Sequence, residues 1–274
     1  MKNPWISEMV PAFRSLKNLR YVASSLLIEA IFYFLYGVFT SPVYGKIQEY
    51  ISVAGMHVSQ AAKQMTLDAA NIGTITPVLL SDLTIRSLFF SLLGLFGILF
   101  LIGFLLYTIF YGTLFYLSSK EIGRKIQFSR FIQRFLIINL FWSIFIIIRY
   151  ILTFFSDLEL YFARKSIPDS MFTPLVVVSL VFLLVILYFA FISYGLLGSS
   201  SPVRKTFQMG FSQAYSVLPA FLIALFGAWI LSMILAFVGE KSSLLLYILG
   251  AFVLLPFLAV MRVYILRVVT RLER

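Results

Sequence analysis

Two ionisable residues stand where ionisable residues are expensive. Glu29 falls inside the apolar run Tyr21 to Phe39, and Arg149 inside the run Phe135 to Phe155. A charge at the centre of a bilayer costs about 2.5–3.5 kcal/mol on insertion scales, so each must face protein or water and find a partner. Counted at about 1.5 Å per residue from the start of its run, the two lie at depths roughly 9 Å apart, which two long side chains partly bridge. Asn139, one turn into the second of these runs, adds an amide able to bond across helices. Three chemistries are open to the set: a structural ion pair of Glu29 with Arg149, joined by Asn139; Arg149 snorkelling toward Asp157 beside a protonated Glu29; or an ion or substrate path lined by both.

Other chemistry is limited by what the chain lacks. It has no Cys, which removes disulfides, thiolate metal sites and Cys nucleophiles, and one His, His57, which removes any multi-histidine metal centre. All four Asp (Asp68, Asp82, Asp157, Asp169) fall between the apolar runs, so no carboxylate pair sits on one span. His57 has no orienting third group that would make a Ser–His arrangement. The expectation is a chain without enzymatic activity, with no catalytic residues, no metal site and no cofactor.

The elements that must position these residues follow from composition. Of the 274 residues 61% are hydrophobic and 12% charged, against about 25% charged in an ordinary soluble domain. Six runs are long enough to cross a hydrocarbon core: Tyr21 to Phe39, Leu88 to Leu117, Phe135 to Phe155, Leu175 to Leu197, Ala220 to Val238 and Leu244 to Met261. They are apolar on every face rather than alternating, which predicts helices and not a barrel. The expected fold is all-α, a polytopic membrane bundle of six transmembrane helices in one membrane domain, 1–274. No small-residue cleavage site follows the first run, so it is expected to remain as a span.

Charge sets the expected orientation, because basic flanks resist translocation. Lys2, Arg14, Lys17 and Arg20, then Lys120, Arg124, Lys125, Arg130 and Arg134, then Arg204 and Lys205, then Arg262, Arg267, Arg271 and Arg274 fall on one side. That is fifteen basic residues against three acidic ones, Glu8, Glu121 and Glu273. The opposite side holds six basic and seven acidic residues. Both termini are therefore expected in the cytoplasm and the protein in the cytoplasmic membrane. The basic segments are expected to meet anionic lipid headgroups or simply to fix topology, and they lack the motifs of a nucleic-acid reader.

Each odd-numbered span follows a short basic amphipathic stretch, which reads as three repeated hairpins with interfacial helices. Trp5, Met9, Phe13 and Leu16 recur at helical spacing in the first, Phe131 and Phe135 in the second, and Phe207, Phe211 and Tyr215 in the third. The second and third stretches read "GRKIQFSRFIQRF" and "RKTFQMGFSQAYSVLP". This pattern resembles the membrane domains attached to some bacterial glycerophosphodiester phosphodiesterases and related six-helix prokaryotic membrane proteins. The resemblance covers most of the chain and implies an accessory membrane domain. It transfers no catalytic residue, because that family's phosphodiesterase chemistry resides in a separate soluble domain.

Two further features concern packing. Ala220, Ala224, Ala228, Ser232 and Ala236 recur every four residues beside Gly227, a small-residue ridge expected to let the fifth span approach another helix along its whole length. Pro256 interrupts the backbone ladder of the sixth span and predicts a kink. In the external loop, residues 40–87, Ile47, Ile51, Ala54, Val58, Ala61 and Met65 fall at intervals of four and three. That stripe predicts one amphipathic helix of about six turns, lying over the external mouth or pairing with another membrane protein or a second copy of the chain. The function expected from all this is a non-enzymatic accessory or scaffold subunit associated with lipid. The alternative is a transporter or channel component using Glu29 and Arg149.

Overall fold

The computed structural model describes residues 4–64, 83–163, 174–199 and 201–273. Two short helices, α1 (Pro4–Ser7) and α2 (Met9–Arg14), and a 3-10 turn (Ser15–Lys17) lead into α3 (Leu19–Gln64). Then follow α4 (Leu83–Glu121), α5 (Phe128–Ala163), α6 (Pro174–Gly195), α7 (Pro202–Ser212), α8 (Ala214–Lys241), α9 (Ser243–Leu249) and, after a π-helical turn (Gly250–Leu254), α10 (Leu255–Glu273). No strand occurs among the described residues. Among the described residues six helices are long and apolar enough to cross a membrane. Their surfaces carry large exposed apolar residues such as Phe34, Phe90, Ile109, Val178 and Phe237, the distribution of a protein whose solvent is hydrocarbon. The all-α polytopic fold class is as expected.

The chain forms two compact units. The first comprises Met1–Ile31, Thr108–Ile151 and Pro174–Arg274. Its centre is α10, on which Ala259 through Tyr264 are buried without a break, followed by Leu266, Val268 and Val269. Six consecutive buried residues leave no exposed face over that stretch. It packs against α6, α8, α1, α2 and the 3-10 turn. Close approach depends on glycine: a Cβ at Gly195 of α6 would stand 2.5 Å from Val269 Cβ, and one at Gly210 of α7 would stand 2.4 Å from the Phe189 ring. Aromatic rings meet in two groups, Phe115, Phe135 and Tyr194 in one and Trp142, Phe189 and Phe207 in the other, with Phe135 stacked on Tyr194 and Trp142 on Phe189 and the remaining pairs tilted.

The second unit, Phe32–Tyr107 and Leu152–Thr173, buries Phe32, Thr40 and Ile47. The separate amphipathic helix expected within residues 40–87 is not separate: α3 runs without interruption from the first span through Gln64, with Pro42 inside it. A proline in a helix removes one ladder bond and bends the axis without ending the helix when the flanking residues favour continuation. Thr40 nearby donates its hydroxyl to the Tyr36 carbonyl at 2.7 Å.

Two packing expectations change. The small-residue ridge of α8 is covered only at its start: Ala220 is buried, Ala224 and Ala228 are half-buried, and Ser232 and Ala236 are exposed. Small residues permit close approach but do not supply the partner, and the partner contact lies beside the ridge, where Gly227 meets the Phe257 ring. The interruption expected at Pro256 takes the form of a π turn just before it, with the Leu255 amide bonded to the Gly250 carbonyl. Pro256 has no N–H to offer Phe252, so the ladder changes register over the preceding turn.

Candidate functional site: a buried ion pair and a basic rim

On α3, Tyr21, Ser25 and Glu29 are four residues apart and so share one face. That face is buried, with Glu29 at 0% exposure. Its charge meets Arg262 of α10, at 4% exposure, whose Nη1 donates to Glu29 Oε1. About two turns before Glu29 on α3, Tyr21 donates its hydroxyl to the Ala259 carbonyl at 3.0 Å and shares a 2.8 Å hydrogen bond with Ser118 of α4. The first and last membrane-spanning helices are thus joined through charge inside the first unit. The bonding is incomplete: Glu29 Oε2, Arg262 Nε and Nη2, and Ser25 Oγ are buried without a hydrogen-bond partner among the described residues. Buried polar atoms left unserved are costly, so the cluster contributes less net stability than its contacts suggest.

Glu29, Arg149 and Asn139 therefore do not form the expected network. The partner of Glu29 is Arg262, a residue the charge pattern had placed in the cytoplasmic flank. Arg149 instead directs Nε toward the Ser179 carbonyl of α6 at 3.4 Å and stacks near the Tyr150 ring. Asn139 donates to Thr108 Oγ1 at 2.9 Å and accepts from the Tyr194 hydroxyl at 3.1 Å, joining α5 to α4 and α6. The signal that could have found Arg262 is the segment that follows it. Val263, Tyr264, Ile265, Leu266, Val268 and Val269 are too apolar for a flank lying in water.

Helix ends gather in a basic rim in the same unit. Asn18, before α3, donates to Glu121 at the end of α4 (2.7 Å), and Arg124, just beyond α4, donates to the Gly195 carbonyl at the end of α6 (3.0 Å). Arg134 near the start of α5 donates to the Leu197 and Gly198 carbonyls at 3.2 and 3.1 Å. Both arginines bond the carbonyls at the negative end of α6, which favours cations. Glu273 at the end of α10 binds Lys205 at 2.9 Å and Arg124 at 3.7 Å, while Gln213 before α8 donates to the Leu272 carbonyl at 3.3 Å. Glu8 receives Arg271 at 2.8 Å and lies 4.0 Å from Arg267. The starts of α3, α5 and α8 and the ends of α4, α6 and α10 thus share one rim, so the six long helices alternate in direction.

The rim binds its own basic residues more than the charge count anticipates. Arg124, Lys205, Arg267 and Arg271 have acidic partners, whereas Arg14, Lys17, Arg20, Lys125, Arg130 and Arg204 are exposed. Two cavities open here. One, of about 290 Å³, is lined by Arg124, Lys125, Ile126, Gly198, Thr270 and Glu273, and the other, of about 430 Å³, lies between α5 and the start of α7.

The interfacial and partner stripes are reshaped. On the leading segment Ala12 and Ser15 are buried, and Phe13 and Leu16 are exposed. On α7, Phe207 turns into the aromatic core, whereas Tyr215, beyond the break at Gln213, is exposed. Of the stripe on α3, Ile47 is buried and Ile51 exposed, so the two do not present one free face. Met65 lies outside the described residues, as do the side chains of Ala54, His57, Val58 and Ala61. Among the described residues no group of His, Cys, Asp and Glu could hold a metal ion. No family model matches the chain, no curated protein is similar to it, and no solved structure matches it.

Proposed function

We propose that this multi-pass membrane protein is a non-enzymatic accessory or scaffold subunit of the cytoplasmic membrane, with both termini in the cytoplasm, and that it associates with anionic lipid through its basic rim. The observation that carries this reading is the use made of intramembrane charge. Glu29 and Arg262 are spent on each other, joining two helices, and neither lines either cavity of the rim. A transport path would need such groups to face a shared hydrated space. The exposed arginines and lysines of the rim support an orientation toward the side of the membrane that retains positive charge. The resemblance to phosphodiesterase-associated membrane domains supports an accessory role.

The test is to purify tagged protein from its native membrane in mild detergent and identify co-purifying proteins and lipids by mass spectrometry. A stoichiometric protein partner that is lost in Ile51→Glu supports the subunit reading. Protein recovered alone, together with solute flux in proteoliposomes that Glu29→Gln abolishes without unfolding, would replace that reading with the transporter.

A further inference from the structure

We infer that the cavity between α5 and the start of α7 is a phospholipid site, taking the phosphate of an anionic headgroup between Arg134 and Arg204 while an acyl chain lies along α5. The inference deepens the lipid part of the proposed function and rests on it. The cavity, about 430 Å³, is lined by Arg134, Ile137, Ser201, Pro202, Val203 and Arg204. Its lining combines two arginines and a serine with apolar residues, and no carboxylate is among them. Glu273 is already shared between Lys205 and Arg124, and no ion pair occupies Arg204 among the described residues.

Arg134 is also held in place. Its Nη1 is fixed on the Leu197 and Gly198 carbonyls, so an anion meeting this side chain does not incur the entropy loss of ordering a free one. Guanidinium donors match phosphate oxygens in geometry as well as charge. The first turn of α7 adds the partial positive charge of a helix start.

A second feature separates a lipid from free phosphate. Ile137, which forms the apolar wall of the cavity and is 60% exposed, begins a stripe that continues through Leu140, Ile144 and Ile148, all exposed. Intervals of three and four keep these residues on one face of α5, leading from the cavity along the span. Inorganic phosphate would use the arginines alone. A phospholipid uses both the arginines and the stripe, the arrangement of basic pockets between membrane helices that hold anionic headgroups.

The experiment is native mass spectrometry of the purified full chain in mild detergent, titrated with phosphatidylglycerol or phosphatidylcholine. Phosphatidylglycerol is expected to bind the wild type more tightly. Arg204→Gln should weaken that binding about fivefold, while Arg14→Gln, which removes an exposed charge outside the cavity, should leave it unchanged. Equal thermal midpoints of the three proteins establish that folding is not the cause. The site is overturned if Arg204→Gln binds like the wild type, or if Arg14→Gln loses as much, which would mean diffuse attraction to the rim. Competition by inorganic phosphate at the affinity of the lipid would overturn the lipid assignment in favour of a soluble anion. No preference for phosphatidylglycerol in the wild type would remove the lipid part of the proposed function together with the site, leaving the subunit reading to its own test.

Discussion

Arg262 and Arg204 are the same residue type put to opposite uses. Arg262 is sealed among α10, α3 and their neighbours, where its charge is cancelled by Glu29 and part of its guanidinium has no partner. Arg204 is exposed at the rim and lines a cavity together with Arg134, whose guanidinium is held by two backbone carbonyls. In the interior the cost of desolvation makes an arginine useful only with a carboxylate, and removing either partner exposes that cost. At the rim, water screens the charge, so an arginine contributes little to folding and remains available to an external anion. Burial therefore decides whether a basic residue is part of the fold or part of a surface.

This contrast is most severely tested by Arg262→Met, which strands Glu29 in the interior. A loss of about 3–5 kcal/mol is expected, measured by denaturant unfolding in mixed micelles, with most of it regained when Glu29→Leu is added. If the double variant is no more stable than the single one, the two residues do not act as a pair. Next in size is the junction of α6 with α10. Gly195→Ala should cost about 1–3 kcal/mol through overpacking against Val269. Gly97→Ala, where an added methyl meets nothing within 4 Å, should be neutral or stabilise by up to about 1 kcal/mol. A smaller effect is expected from the interhelical amide: Asn139→Leu should cost about 0.6–1.7 kcal/mol in the same assay. Arg204→Gln should change stability by less than about 0.5 kcal/mol, and a larger loss would move Arg204 from the surface into the fold.

Much of this arrangement is legible in the residues. Five of the six apolar runs correspond to membrane-length helices, whereas the sixth, Leu244 to Met261, is divided among α9, the π turn and the start of α10, and its span extends to Glu273; the positions of the basic segments anticipate which helix ends share the rim. Asn139 could be read as an interhelical bond, although not that Thr108 and Tyr194 would be its partners. The Glu29–Arg149 pairing misled because depth was counted from span boundaries. Depth does not say in which direction a helix presents its residue, and Arg149 is turned toward Ser179 of α6. The ridge on α8 misled for a related reason, since spacing shows which residues share a face but not how far along that face a neighbour extends.

Local chain properties govern the part of the structure that can be read from the residues alone. Length and hydropathy of each run set the number of spans, the absence of alternation set their helical form, and the basic segments marked a common end. Which faces meet depends on packing: α10 fills the centre of its unit, Arg262 rather than Arg149 answers Glu29, and Arg134 and Arg204 line one cavity. The physical reason is that a helix apolar on every side offers lipid much the same surface however it is turned about its axis, so hydropathy does not choose the rotation. Its orientation is set by close packing, such as that of Gly195 on Val269, and by the few polar groups that must be paired away from water.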